Sequence, residues 1–106
     1  MDPKVKRLVD QVKAHLSEMY GESIRRVIVY GSYARGEATK DSDVDVLVLT
    51  DPSLNPSEVR DSLSDLLYDM LMEEGELVSV MVIPEDFFEN HNLPFMLNVR
   101  KEGVTL

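Results

Sequence analysis

Val5, Leu8, Val9, Val12, Leu16, Met19 and Tyr20 recur at steps of three and four residues, with Lys4, Arg7, Asp10, Lys13 and Glu18 between them. This spacing winds the apolar side chains onto one stripe and predicts an amphipathic helix from about Asp2 to Tyr20. Asp2 followed by Pro3 suits an N-cap and a first-turn residue, and Gly21 suits the stop. The period then changes. Ile24 to Tyr30 reads as a strand, and after an interruption Asp43 to Leu49 reads as a second one. Beyond its acidic start the second strand is apolar on both sides, Val44, Val46 and Val48 facing one way and Leu47 and Leu49 the other, as in a strand at the centre of a sheet.

Asp51-Pro52-Ser53 breaks that strand, and Asn55-Pro56-Ser57-Glu58 supplies a cap, a first-turn proline and an acid in the first turn. Val59, Leu63, Leu66, Leu67, Met70 and Leu71 predict one long second helix with a buried stripe, ended by Gly75. Glu73 and Glu74 oppose its dipole, a small cost for which the sequence offers no reason, and with Glu76 they read as a solvated face. A third strand spans Leu77 to Ile83 and closes at Pro84, where Pro84-Glu85-Asp86-Phe87-Phe88 looks like a first helical turn. Met70-Leu71-Met72 and Phe87-Phe88 read as core or interface. Pro94 to Lys101 suits a short helix with Gly103 as its stop, and Val104-Thr105-Leu106 an added edge strand. Strands alternating with helices predict the α/β class, with residues 1–106 as a single domain.

Composition narrows the partners. With 20 acidic against 11 basic residues, the formal net charge of −9 disfavours binding nucleic acid, which requires clustered Lys and Arg. A basic protein partner fits better, and a homo-oligomer stays open. The chain has no cysteine, no secretory segment and no apolar run of membrane-spanning length, so a cytoplasmic protein without membrane contact is expected.

The chemistry concentrates between the first two strands. Gly31-Ser32 forms a turn, and Asp43 and Asp45, two residues apart on a strand, fall on one face with Cα atoms about 7 Å apart, close enough to share one or two hard cations such as Mg²⁺. Glycine lets the backbone approach a ligand closely, and a short helix starting near Ser32 would aim its positive end at phosphate. Arg35 and Lys40 are the cations at hand, candidates by position and charge. Because the chain as a whole repels a polyanion such as ATP, nucleotide binding would depend on metal and on these local cations. The alternative for Asp43 and Asp45 is a solvated strand start. His15 and His91 have no second His or Cys at ligand spacing, which leaves zinc without a site.

Gly31-Ser32, ten residues, then Asp43-x-Asp45 resembles the nucleotidyltransferase superfamily that includes polymerase beta, and the short chain looks like its minimal nucleotidyltransferase (MNT) branch. The resemblance is strong over about residues 24–50 and extends more loosely to residue 83. It implies a nucleotidyltransferase fold, a small mixed sheet of three to four strands with helices packed against it. Gly31 and Ser32 would then hold a triphosphate, Asp43 and Asp45 would coordinate Mg²⁺ in a two-ion site, and NMP, with ATP the expected donor, would pass to a hydroxyl. In the MNT branch the acceptor is often a HEPN-domain toxin, which would make this chain the antitoxin. One residue departs from the pattern. Similar enzymes carry a third acid on the next strand, where this chain has Ser79, neither a metal-holding carboxylate nor a comparable base. Glu76, the nearest acid, is an odd number of residues from position 79 and points to the other sheet face. The alternatives are therefore a catalytically impaired module that neutralises its partner by occlusion, or transfer to a small molecule as in aminoglycoside nucleotidyltransferases.

Overall fold

The computed structural model describes residues 1–106. Helix α1 (Pro3–Tyr20) begins where the Asp2 carboxylate accepts the N–H groups of Lys4 and Val5, and ends at Gly21. One 3₁₀ turn leads into β1 (Ile24–Tyr30), followed by the four-residue helix α2 (Ser32–Arg35), β2 (Val44–Thr50), α3 (Pro56–Ser62), α4 (Ser64–Glu74), β3 (Val78–Pro84), α5 (Glu85–Asn90), α6 (Pro94–Glu102) and β4 (Val104–Thr105). The strands form one mixed sheet in the order β3-β2-β1-β4. β1 is antiparallel to β2 and β4, and β2 is parallel to β3 across the α3–α4 connection.

The two-sided pattern of β2 explains the layers. Val44, Val46 and Val48 join Val27, Val29, Val78 and Val80 under α1, α3 and α4, where Leu8, Leu16 and Leu63 are fully buried. Leu47 and Leu49 face the other way and meet Ile28, with Phe88 of α5 and Met96 and Val99 of α6 above them. Arg100 ties these two helices together, donating to the carbonyls of Phe88 and His91 and to Asn92.

Several expectations change. The second helix is broken at Leu63, whose N–H bonds the Arg60 carbonyl, three residues back, while the Ser62 hydroxyl bonds that of Val59. Local hydrogen bonds of this kind compete with the regular ladder, and α4 sets off separately from α3. Met19, Leu71 and Met72 are exposed, the stripe on each helix being narrower than its apolar residues. Of the Phe87-Phe88 pair only Phe88 is buried. Of the acids at the end of α4 and beyond it, Glu73 and Glu74 are exposed, Glu74 pairing with Arg7, whereas Glu76 is buried and accepts Lys4 Nζ at 2.6 Å. The cost of Glu74 at the end of its helix is thus offset from α1. Asp43 precedes β2 rather than starting it, since the first link to β3 runs from the Val44 N–H to the Leu77 carbonyl.

Candidate active site

The face of the sheet under α5 and α6 is left open at the end where β1 leaves and β2 enters. Tyr30, Asp45 and Ser79 lie there side by side, Tyr30 opposite Asp45 and Asp45 opposite Ser79. Tyr30 is half-buried and meets Phe95 edge to face, with ring centroids 5.3 Å apart, which makes it a wall of the site. Ser79 is exposed beside Asp45, so the structure puts a hydroxyl where the sequence comparison placed a missing carboxylate.

Gly31 turns the chain from β1 into α2 at φ 76°, a region that disfavours side chains. A Cβ there would lie 2.4 Å from Asp45 Oδ2, so the turn rests directly on the carboxylate and only glycine fits between them. Burial, and next the charge of Asp43, raise the Asp45 pKa, while Arg35 pulls it down. Tyr30 is also raised, by burial first and then by Asp45. Gly31 thus touches Asp45, and Asp43 and Arg35 are each near enough to bias its charge.

Arg35 is already engaged. Its guanidinium donates to Glu37 at 3.1 Å and to both oxygens of Glu102 at 3.3 and 3.2 Å. Glu102, at the end of α6, also accepts the Gly31 N–H at 3.3 Å. Sequence reading missed Glu102 because nothing local marks it.

Ser32 opens α2, which has no side-chain cap, and its carbonyl accepts the Glu37 N–H at 2.9 Å. Lys40 is placed apart. It borders a cavity of about 550 Å³ with Lys4, Tyr33, Ala38 and Thr39, which none of Gly31, Asp43 or Asp45 lines.

Asp43 and Asp45 suit a divalent cation as hard oxygen donors, and the like-charge pressure on Asp45 is what such an ion would relieve. No third His, Cys, Asp or Glu joins them, so phosphate oxygens and water would have to complete the coordination.

A fold of this order, with a glycine-serine turn resting on a strand-borne carboxylate, is that of nucleotidyl transfer proteins, and residues 9–102 match the nucleotidyltransferase domain family. The chain belongs to that family and is a nucleotidyltransferase. Among its relatives is MJ0604 of Methanocaldococcus jannaschii, whose name assigns it as a protein adenylyltransferase; it is 34% identical over 92 residues, covering 86% of each chain. Protein adenylyltransferase MntA of Thermococcus cleftensis is 37% identical over 78 residues, 68% of this chain and 77% of that one. A solved chain described as a minimal nucleotidyltransferase superposes with a TM-score of 0.55 at 27% identity, covering 100% of this chain and 97% of the other. A toxin-antitoxin crystal structure with AMP-PNP shares the fold with a TM-score of 0.59 at 16% identity, over 91% of this chain and 70% of that one.

Proposed function

We propose that this chain transfers AMP from ATP, with Mg²⁺, to a hydroxyl on a partner protein, a toxin of the HEPN type for which it serves as antitoxin. The observation that carries this is the Gly31 turn resting on Asp45, with the charge of Asp43 beside it. Relatives named as protein adenylyltransferases, and fold neighbours solved as toxin-antitoxin complexes, favour a protein acceptor. The net charge of −9 favours a basic one.

In the proposed reaction the acceptor oxygen attacks the α-phosphorus and forms the new O–P bond. The bond from that phosphorus to the bridging oxygen breaks, and pyrophosphate leaves with the electron pair. Asp43 and Asp45 would hold Mg²⁺, which supplies charge neutralisation at the phosphate oxygens. Ser32 and the backbone of the turn would position the triphosphate, and Tyr30 would shield one side from water. Ser79 offers no base, so the acceptor proton passes to solvent. Arg35 serves the site while paired to two carboxylates, and Lys40, which lines a cavity that Asp43 and Asp45 do not, is given no role in it.

The test is incubation with α-labelled ATP, Mg²⁺ and the product of the neighbouring gene. Label on that protein, lost in the Asp43→Asn, Asp45→Asn variant, is the expected outcome; label that persists in the variant removes these residues from the chemistry. Ser79 opposite Asp45 favours a second reading, in which the chain neutralises its partner by occupying it. In that case calorimetry gives the same partner affinity with and without nucleotide and in the double variant.

A further inference from the structure

Glu102 lies on α6, far along the chain from the glycine-serine turn, yet its carboxylate accepts the Gly31 N–H at 3.3 Å and two contacts from Arg35 Nη1 at 3.3 and 3.2 Å. Those two residues bracket α2, and the Arg35 N–H bonds the Gly31 carbonyl at 3.1 Å. One side chain therefore fastens both ends of the segment that rests on Asp45. Isolated exposed ion pairs contribute little to stability. Glu102 differs from them in holding a backbone N–H as well as a guanidinium, with only 22% of its side chain exposed.

Its position is also built by its neighbours. A Cβ on Gly103 would come within 2.5 Å of the Val99 carbonyl oxygen and 2.7 Å of Ile28 Cγ2, so the end of α6 seats against β1 only because residue 103 has no side chain. The Gly103 N–H closes the helix onto Val99 at 2.7 Å. Val104 then pairs with Val29, two residues before Gly31. Glu102 is thus set between a helix end pressed onto β1 and a strand laced to it, which leaves its carboxylate little choice but the turn.

We propose that Glu102 is a positioning residue of the nucleotide site. It acts through Gly31 and Arg35, holding the turn against Asp45 in the shape that receives the triphosphate, and α6 and β4 exist in part to deliver it. This rests on the nucleotide-transfer reading above. It also assigns the Gly31 N–H to Glu102, leaving Ser32 and the residues after it to meet phosphate.

The experiment has two arms, each run on the wild type, Glu102→Gln and Glu102→Ala. In nucleotide-free protein, amide exchange followed by NMR should speed up about tenfold at Gly31 in Glu102→Ala, the size expected for one lost hydrogen bond, while Val29 and Val46 stay protected. Titration with AMP-PNP and Mg²⁺ should show about tenfold weaker binding in Glu102→Ala, with Glu102→Gln between it and the wild type because the amide oxygen keeps the Gly31 contact but loses the charge on Arg35. Unchanged Gly31 exchange overturns the fastening. AMP-PNP affinity equal to that of the wild type reduces Glu102 to a structural contact, and tighter binding makes it a plug that phosphate must displace; both overturn the positioning role. A wild type that itself binds no AMP-PNP sinks the nucleotide reading, and the positioning role with it, whatever the exchange arm reports about the fastening.

Discussion

On one face of the sheet α1, α3 and α4 enclose a cluster of 16 buried apolar residues, whereas α5 and α6 enclose only 6 on the other. The smaller cluster stops short of the end where Asp45, Ser79 and Tyr30 lie. The first face is closed because burial of apolar area is what offsets the entropy of ordering the chain. In the proposed function the second stays open for a nucleotide and an acceptor, and it carries a disfavoured charge: Asp45 is raised by burial and by Asp43. Stability and chemistry are therefore assigned to opposite sides of β2, with alternate side chains of one strand serving each.

A crossed pair of substitutions tests this division most strongly. Asp45→Asn should lower transfer on the order of 10³-fold, as when a charge-stabilising group is removed from an active site. Its thermal midpoint should not fall, since the neutral amide removes a charge the fold disfavours. Leu8→Ala should do the reverse, costing about 2–5 kcal/mol in denaturant unfolding while the folded protein keeps its affinity for AMP-PNP. Unfolding of Asp45→Asn, or loss of nucleotide binding by folded Leu8→Ala, would break the comparison. Gly31→Ala sits where the two roles meet. At φ 76° and against Asp45 it should cost about 1–3 kcal/mol and also weaken AMP-PNP binding, measurable by unfolding and calorimetry on one sample.

Ser79→Asp sharpens the chemical side. It restores a carboxylate opposite Asp45 at an exposed position, and should raise the transfer rate about tenfold or more if a base is what the site lacks. A rate equal to that of the wild type would show that deprotonation of the acceptor does not limit turnover. The smallest effect lies away from the site. Asp51, just past β2, accepts the Ser53 N–H and pairs with Arg25 at 2.6 Å, which hold its pKa at about 2 against an ordinary 3.8. A lowered carboxylate pKa adds stability that is fully present above pH 3.8 and fades as the pH falls through about 2. Urea midpoints of wild type and Asp51→Asn should therefore converge over that interval, whereas a constant gap would assign the effect to packing.

The elements were largely legible, because caps and periods are local. Asp2-Pro3 and Asn55-Pro56 start α1 and α3 as their chemistry requires, and β1 runs from Ile24 to Tyr30 as expected. The break at Leu63 was not legible, since the helical period of Val59, Leu63 and Leu67 runs straight through it. Nor was the fate of Glu74 and Glu76, whose partners Arg7 and Lys4 come from α1 at the other end of the chain. Arg35 stood out as a candidate cation beside the glycine-serine turn; its pairing with Glu37 is local, whereas its pairing with Glu102 depended on α6 returning to β1.

By itself the sequence determined the elements with few exceptions and the two-sided strand at the centre of the sheet, because each depends on residues within a few positions of one another; Gly31, Asp43 and Asp45 it offered only as a spaced motif. Tertiary structure alone decided that Gly31 touches Asp45, that Ser79 lies opposite Asp45, that Lys40 lines a cavity which Asp43 and Asp45 do not, and that Glu102 bonds the turn. Those relations depend on strand order, register and the return of the C-terminal helix, which the packing of distant segments sets and no local pattern encodes.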